Sequence, residues 1–116
     1  MLEVSNNLEF EDVWEIIKND ESVEAVSIFM HGNPEQLQYK RIMEEGDDAV
    51  TADFIEGLEE INPEVLMIYA CNAGHLDYKE TNPASFFSKK VGNAPVVASD
   101  GTVYIYDWRT LEDNDL

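Results

Sequence analysis

A chain of 116 residues, 44% of them hydrophobic, can bury one core and is too short for two domains. Twenty-five acidic against 7 basic residues leave a formal charge of −18. That balance argues against a nucleic-acid backbone or an anionic membrane surface as partner and permits a basic peptide or protein, although plain solubility explains it equally well.

Residues 9–19 have helical periodicity, with Phe10, Val13, Trp14 and Ile17 on one face and Asn6 or Asn7 placed to cap the start. Residues 25–30 form a short apolar run ended by His31-Gly32, which reads as a buried strand. After the Asn33-Pro34 turn signal, residues 36–43 alternate through Leu37 and Tyr39, as an edge or hairpin strand does. The loop 45–48 leads to Thr51, which is placed to cap a helix running to Ile61 on a stripe of Phe54, Ile55, Leu58 and Ile61, stopped by Asn62-Pro63. Val65 to Ala70 is a second buried strand and delivers Cys71 at its carboxyl end. A polar loop, 72–81, precedes a third helix that opens at Asn82-Pro83 and closes at Gly92. Residues 95–99 form a third buried strand, Asp100-Gly101 a hairpin turn, and 102–106 a returning strand. The acidic tail 111–116 is expected to fray, leaving one domain over residues 1–110.

The order α-β-β-α-β-α-β-β predicts an α/β fold: a mostly parallel sheet with helices on both faces and a C-terminal antiparallel hairpin. In such sheets ligands bind beyond the carboxyl ends of the strands. His31, Cys71 and Asp100 each lie just past the carboxyl end of a different strand. Forty residues separate His31 from Cys71, so only adjacent parallel strands ending at one rim would join them.

A cysteine attacks as the thiolate and needs a base or cation beside it; imidazole is the usual base. An acyl transition state also needs N–H donors for its oxyanion. Gly32, with no Cβ to shield its N–H, and the N–H of Cys71 suit that role. A lone cysteine ending an apolar strand is usually a small buried hydrophobe, and His31-Gly32 could merely end a strand and open a turn. His75, four residues beyond Cys71, is a rival base on a polar loop. A single cysteine and two histidines make no zinc pattern, so no metal is expected. No phosphate-binding glycine motif is present, which leaves no cofactor implied.

The segments Ser27-Ile-Phe-Met-His31-Gly32 and Leu66-Met-Ile-Tyr-Ala70-Cys71-Asn72-Ala73-Gly74 pair a strand ending in His-Gly with one ending in Ala-Cys-x-x-Gly. In that order the chain resembles the caspase-like cysteine peptidases of clan CD. Ser85-Phe86-Phe87 and the stretch 95–104 are similar to the bacterial members attached to toxins and surface proteins. The resemblance spans about residues 25 to 106. It implies a three-layer caspase-like sandwich, a Cys–His dyad of Cys71 as nucleophile and His31 as base, and an oxyanion site at Gly32 and Cys71. It also implies cleavage after a specificity-setting residue, often as self-processing. The chain is shorter than most active members, and an inactive relative used for binding or regulation would keep the same fold.

Peptide or protein is therefore the expected substrate, with the domain acting alone or within a larger protein. A carboxylate at Asp100 or Asp77 would select arginine or lysine through a charge-assisted hydrogen bond. The competing role for Asp100 is the Asp-Gly turn itself. One cysteine permits no intrachain disulfide and suits a reducing compartment. The start Met1-Leu-Glu-Val has neither a basic nor an apolar leader region, so a cytoplasmic setting is expected. No apolar run approaches the roughly 18 residues of a membrane span.

Overall fold

Along β1 (Ala25–Phe29) and β5 (Val65–Tyr69) every second side chain is withdrawn from solvent: Val26 and Ile28 on the first, Leu66 and Ile68 on the second. The two strands pair in parallel, Ala25 opposite Val65 through Phe29 opposite Tyr69, and β6 (Val96–Ala98) joins β5 on its far side, also parallel. These elements belong to a computed structural model that describes residues 2–78 and 80–99. The hairpin expected at Asp100-Gly101, its returning strand and the tail lie outside the described residues.

The even-numbered face of the sheet meets the helices. α1 (Asn7–Lys18) starts where the Asn6 side chain accepts the Glu9 N–H, and buries Phe10 and Trp14. α2 (Ala52–Glu56) is capped by the Thr51 hydroxyl, which accepts from Phe54 N–H. α3 (Pro83–Ser88) is capped by Asn82, with proline at its first turn, where no N–H is needed. One aromatic cluster joins all three. Phe10 lies 5.7 Å edge-on from Phe54 and 6.3 Å from Phe87, and Trp14 lies 5.6 Å from Phe87. Trp14 stays satisfied inside the cluster because its indole N–H donates to Glu59 O at 2.7 Å.

Four differences from the sequence reading have physical causes. The described helices share one cluster and cover one face of the sheet; the other face exposes Phe29, Tyr69 and Val97. The strand expected over 36–43 is only β3 (Leu37–Gln38), after which the chain turns away. α2 ends at Glu56, five residues short of the expected span, yet Leu58 and Ile61 remain buried because irregular chain can also face a core. α3 ends at Ser88, and Gly92 instead turns the connecting loop at φ +62°. A small antiparallel sheet also joins β2 (His31–Gly32), β3 and β4 (Ala49–Val50), the last assigned to no element in the sequence because two-residue strands leave no periodicity.

Tyr39 ties this small sheet to α1. Its hydroxyl donates to Asn7 Oδ1 at 2.8 Å, and burial, reinforced by Asp48, Glu11 and Glu9, pushes its phenol well above its ordinary value of 10.0. A proton held more tightly in the folded state stabilises fully below the unfolded pKa and is lost as pH rises past it. Urea titrations across alkaline pH should show stability falling above about pH 10, and Tyr39→Phe should flatten that fall while costing about 1 kcal/mol at neutral pH. At the centre of the aromatic cluster, Phe87 is fully buried. Phe87→Ala should lower unfolding free energy by about 3–5 kcal/mol in the same titration.

Candidate functional site

β1 does not stop at Phe29. The Met30 N–H still reaches Tyr69 O at 3.3 Å, which sets Met30 beside Ala70; His31 and Cys71 are the next residues on the two chains, just past the end of the paired register. Both sites keep the alternation of their strands: Met30 and Ala70 are buried, His31 is exposed and Cys71 partly exposed. His31 and Cys71 each come two residues after Phe29 and Tyr69, whose rings stack at 4.6 Å with planes 5° apart.

Gly32 is required by proximity. A Cβ at that position would lie 2.9 Å from Ala70 Cβ and 3.0 Å from the Cys71 carbonyl oxygen. Hydrogen-bonding parity adds a second point. Asn33 N–H bonds Gln36 O at 3.0 Å, so in the alternating antiparallel pattern His31 bonds Gln38 while the Gly32 N–H points away from β3. By the parity of β1 it points to the strand that carries Cys71.

Beyond Cys71 the chain makes a tight turn with Asn72 at φ +58°, the left-handed region that asparagine enters more readily than most residues. The turn is pinned on both sides. Gly74 N–H donates to Ser99 O at 2.8 Å, and Ala84 N–H donates to Ala73 O at 3.0 Å. A Cβ on Gly74 would come within 3.1 Å of Ala98 Cβ. The cysteine turn is thus clamped between the end of β6 and the start of α3, and the carboxyl ends of all three parallel strands form one rim.

His75 belongs to its own loop. Its Nδ1 accepts the Asp77 N–H at 3.2 Å, its ring stands edge-on to Tyr78 at 5.4 Å, and its carbonyl accepts from Asn82 Nδ2 at 3.1 Å. The Asp77 carboxylate is 87% exposed, 4.0 Å from that same nitrogen. Asp100, the other expected specificity residue, lies outside the described residues. Among the described residues no three His, Cys, Asp or Glu side chains are grouped to hold a metal ion.

The Phe29–Tyr69 pair was missed in the sequence, where the strands were taken as buried on both faces. Ser27, a polar residue on the same parity within an apolar run, was the available sign of an open face. No family model, curated protein or solved structure matches the chain.

The close approach at Gly32 gives a direct test. Gly32→Ala should destabilise the fold by about 1–3 kcal/mol, because backbone and a buried methyl must both yield. Gly57→Ala, whose nearest new contact is an ordinary 3.5 Å, should change stability by less than about 0.5 kcal/mol. Chemical denaturation of the pair measures the difference.

Proposed function

We propose that this chain is a caspase-like domain in which His31 and Cys71 form a dyad that cleaves peptide bonds. The observation that supports the reading is the parallel pairing of β1 and β5, after which His31 and Cys71 follow at one rim of the sheet. In this mechanism the His31 imidazole takes the Cys71 thiol proton, and the thiolate attacks the scissile carbonyl carbon. The Gly32 and Cys71 N–H groups stabilise the oxyanion. The imidazolium then gives its proton to the leaving amine, and water, deprotonated by the same ring, hydrolyses the thioester to free acid and thiol. Nothing in this sequence of steps requires a metal or cofactor.

The three-layer sandwich belongs to the same proposal. It requires a second layer over the Phe29–Tyr69 face, which the described helices leave open. A preference for arginine or lysine, with Asp77 or Asp100 as the selecting carboxylate, is the finer form of the substrate reading and draws on the charge of −18. The open Phe29–Tyr69 pair also suits a binding or regulatory module without turnover, which is the competing reading.

Alkylation separates the two. At neutral pH iodoacetamide should modify Cys71 about tenfold faster than the thiol of the urea-unfolded chain, and His31→Gln should remove that advantage. Cys71→Ala should keep the circular dichroism spectrum and abolish cleavage of a peptide library. Modification at the unfolded-chain rate, indifferent to His31→Gln, together with an uncleaved library, leaves the binding module. Among cleaved peptides, equal turnover after leucine, aspartate and arginine would remove the basic preference.

A further inference from the structure

The outer edge of β1 is an unfilled strand position. Leu66 N–H bonds Pro95 O, and Met30 N–H bonds Tyr69 O, so β5 uses its even residues toward β6 and its odd ones toward β1. On β1 the even residues therefore bond β5, and the N–H and C=O groups of Ala25, Ser27 and Phe29 point outward. They have no hydrogen-bond partner among the described residues. β3 occupies the same edge one step further on, where Gln38 pairs His31, but the chain leaves the edge at Tyr39, before it reaches Phe29.

Where β3 ends, a groove of about 730 Å³ opens along the whole of β1 to His31. Its wall opposite the strand is apolar and comes from the helix, with Val13, Trp14 and Ile17 among its residues. Among the described residues that line it, His31 alone can carry positive charge. Asp20, Glu21 and Glu24 stand in the chain just before the strand, and Glu3 lines the groove itself.

We propose that this groove binds an extended basic peptide, which adds as a further strand to β1. Outward main-chain groups of β1 would supply the pairing, apolar side chains at alternate positions would face Val13, Trp14 and Ile17, and lysine or arginine at the others would answer the acidic flank. Charge selects this occupant over a second copy of the chain, because two bodies of −18 repel and no lysine or arginine lines the groove among the described residues. The site stands on the edge and the groove alone and does not rest on Cys71 chemistry, although a peptide seated there would run toward His31.

The probe is the acetylated, amidated peptide Lys-Val-Lys-Val-Lys-Val-Lys, titrated into Cys71→Ala protein by calorimetry and followed by amide hydrogen exchange. Cys71→Ala removes turnover, so failure to bind and failure to cleave are distinguished. Binding should slow exchange at Ala25, Ser27 and Phe29 by about tenfold or more and leave Val26, Ile28 and Met30, already bonded to β5, unchanged. Affinity should fall at least tenfold for the glutamate counterpart and for a lysine–valine peptide N-methylated on one edge. Ser27→Pro, which removes one outward N–H and no β5 bond, should weaken binding comparably; if that variant does not fold, the N-methylated peptide carries the same test. Equal binding of the glutamate peptide, or uniform protection along β1, overturns the proposal. So does protection of the three odd amides without peptide: concentration-dependent protection means a second copy fills the edge, and concentration-independent protection means the chain fills it itself.

Discussion

The in-register parallel pairing of β1 with β5 is the constraint on which the rest of the structure depends. It makes one residue in two face the helices: Val26, Ile28 and Met30 on one strand, Leu66, Ile68 and Ala70 on the next. Each large member of that set contributes about 1.5–3 kcal/mol by leaving water. The register also decides which residues meet where the strands end. With Phe29 opposite Tyr69 and the Met30 N–H on Tyr69 O, His31 and Cys71 follow just past the paired ends at the same rim.

Much of this was legible. The three parallel strands, the Asn6, Thr51 and Asn82 caps and the placement of His31 and Cys71 past strand ends follow from apolar runs, capping residues and glycine–proline punctuation, all local signals. The two-residue strands of the small sheet were not legible, because they are held by partners rather than by their own pattern. Tyr39 was placed on a continuing strand; in the structure it leaves the edge and gives its hydroxyl to Asn7 of α1. Leu58 and Ile61 kept helical spacing without helical backbone, since burial needs only that a side chain face the core. At the site, the strand ends and Gly32 could be anticipated, whereas the Asn72 turn and its anchors to Ser99 and Ala84 depend on elements that meet only in three dimensions.

The charge of −18 acts differently on the two surfaces the described helices leave open. On the open face the stacked Phe29 and Tyr69 rings are apolar ground beside His31, and repulsion between like-charged chains disfavours burying them against a second copy. Along the β1 edge the same charge acts as selectivity. Unpaired strand edges invite indiscriminate pairing, and natural proteins often guard them with charge. Here Glu3 lines an otherwise apolar groove, and Asp20, Glu21 and Glu24 precede its strand in the chain, which favours a strand of opposite sign.

Side-chain parity and hydrogen-bond parity are set by the same count along β1. An even residue sends its side chain to the helices and its backbone to β5; an odd residue sends its side chain to the open face and its backbone to the outer edge. Gly32, even, thus presses against Ala70 and Cys71 with its N–H toward the cysteine strand, while His31, odd, has an exposed side chain and spends its backbone on Gln38. A slip of one residue would reverse every one of these assignments at once: Val26 and Ile28 would go to solvent, Ser27 and Phe29 into the core, and the main chain of His31 rather than Gly32 would meet Cys71. The Gly32 contact makes that alternative costlier still, because only a residue without a side chain tolerates 2.9 Å to Ala70 Cβ. The pairing that fills the core is therefore the same pairing that brings the ends of β1 and β5, with His31 and Cys71 after them, to one rim.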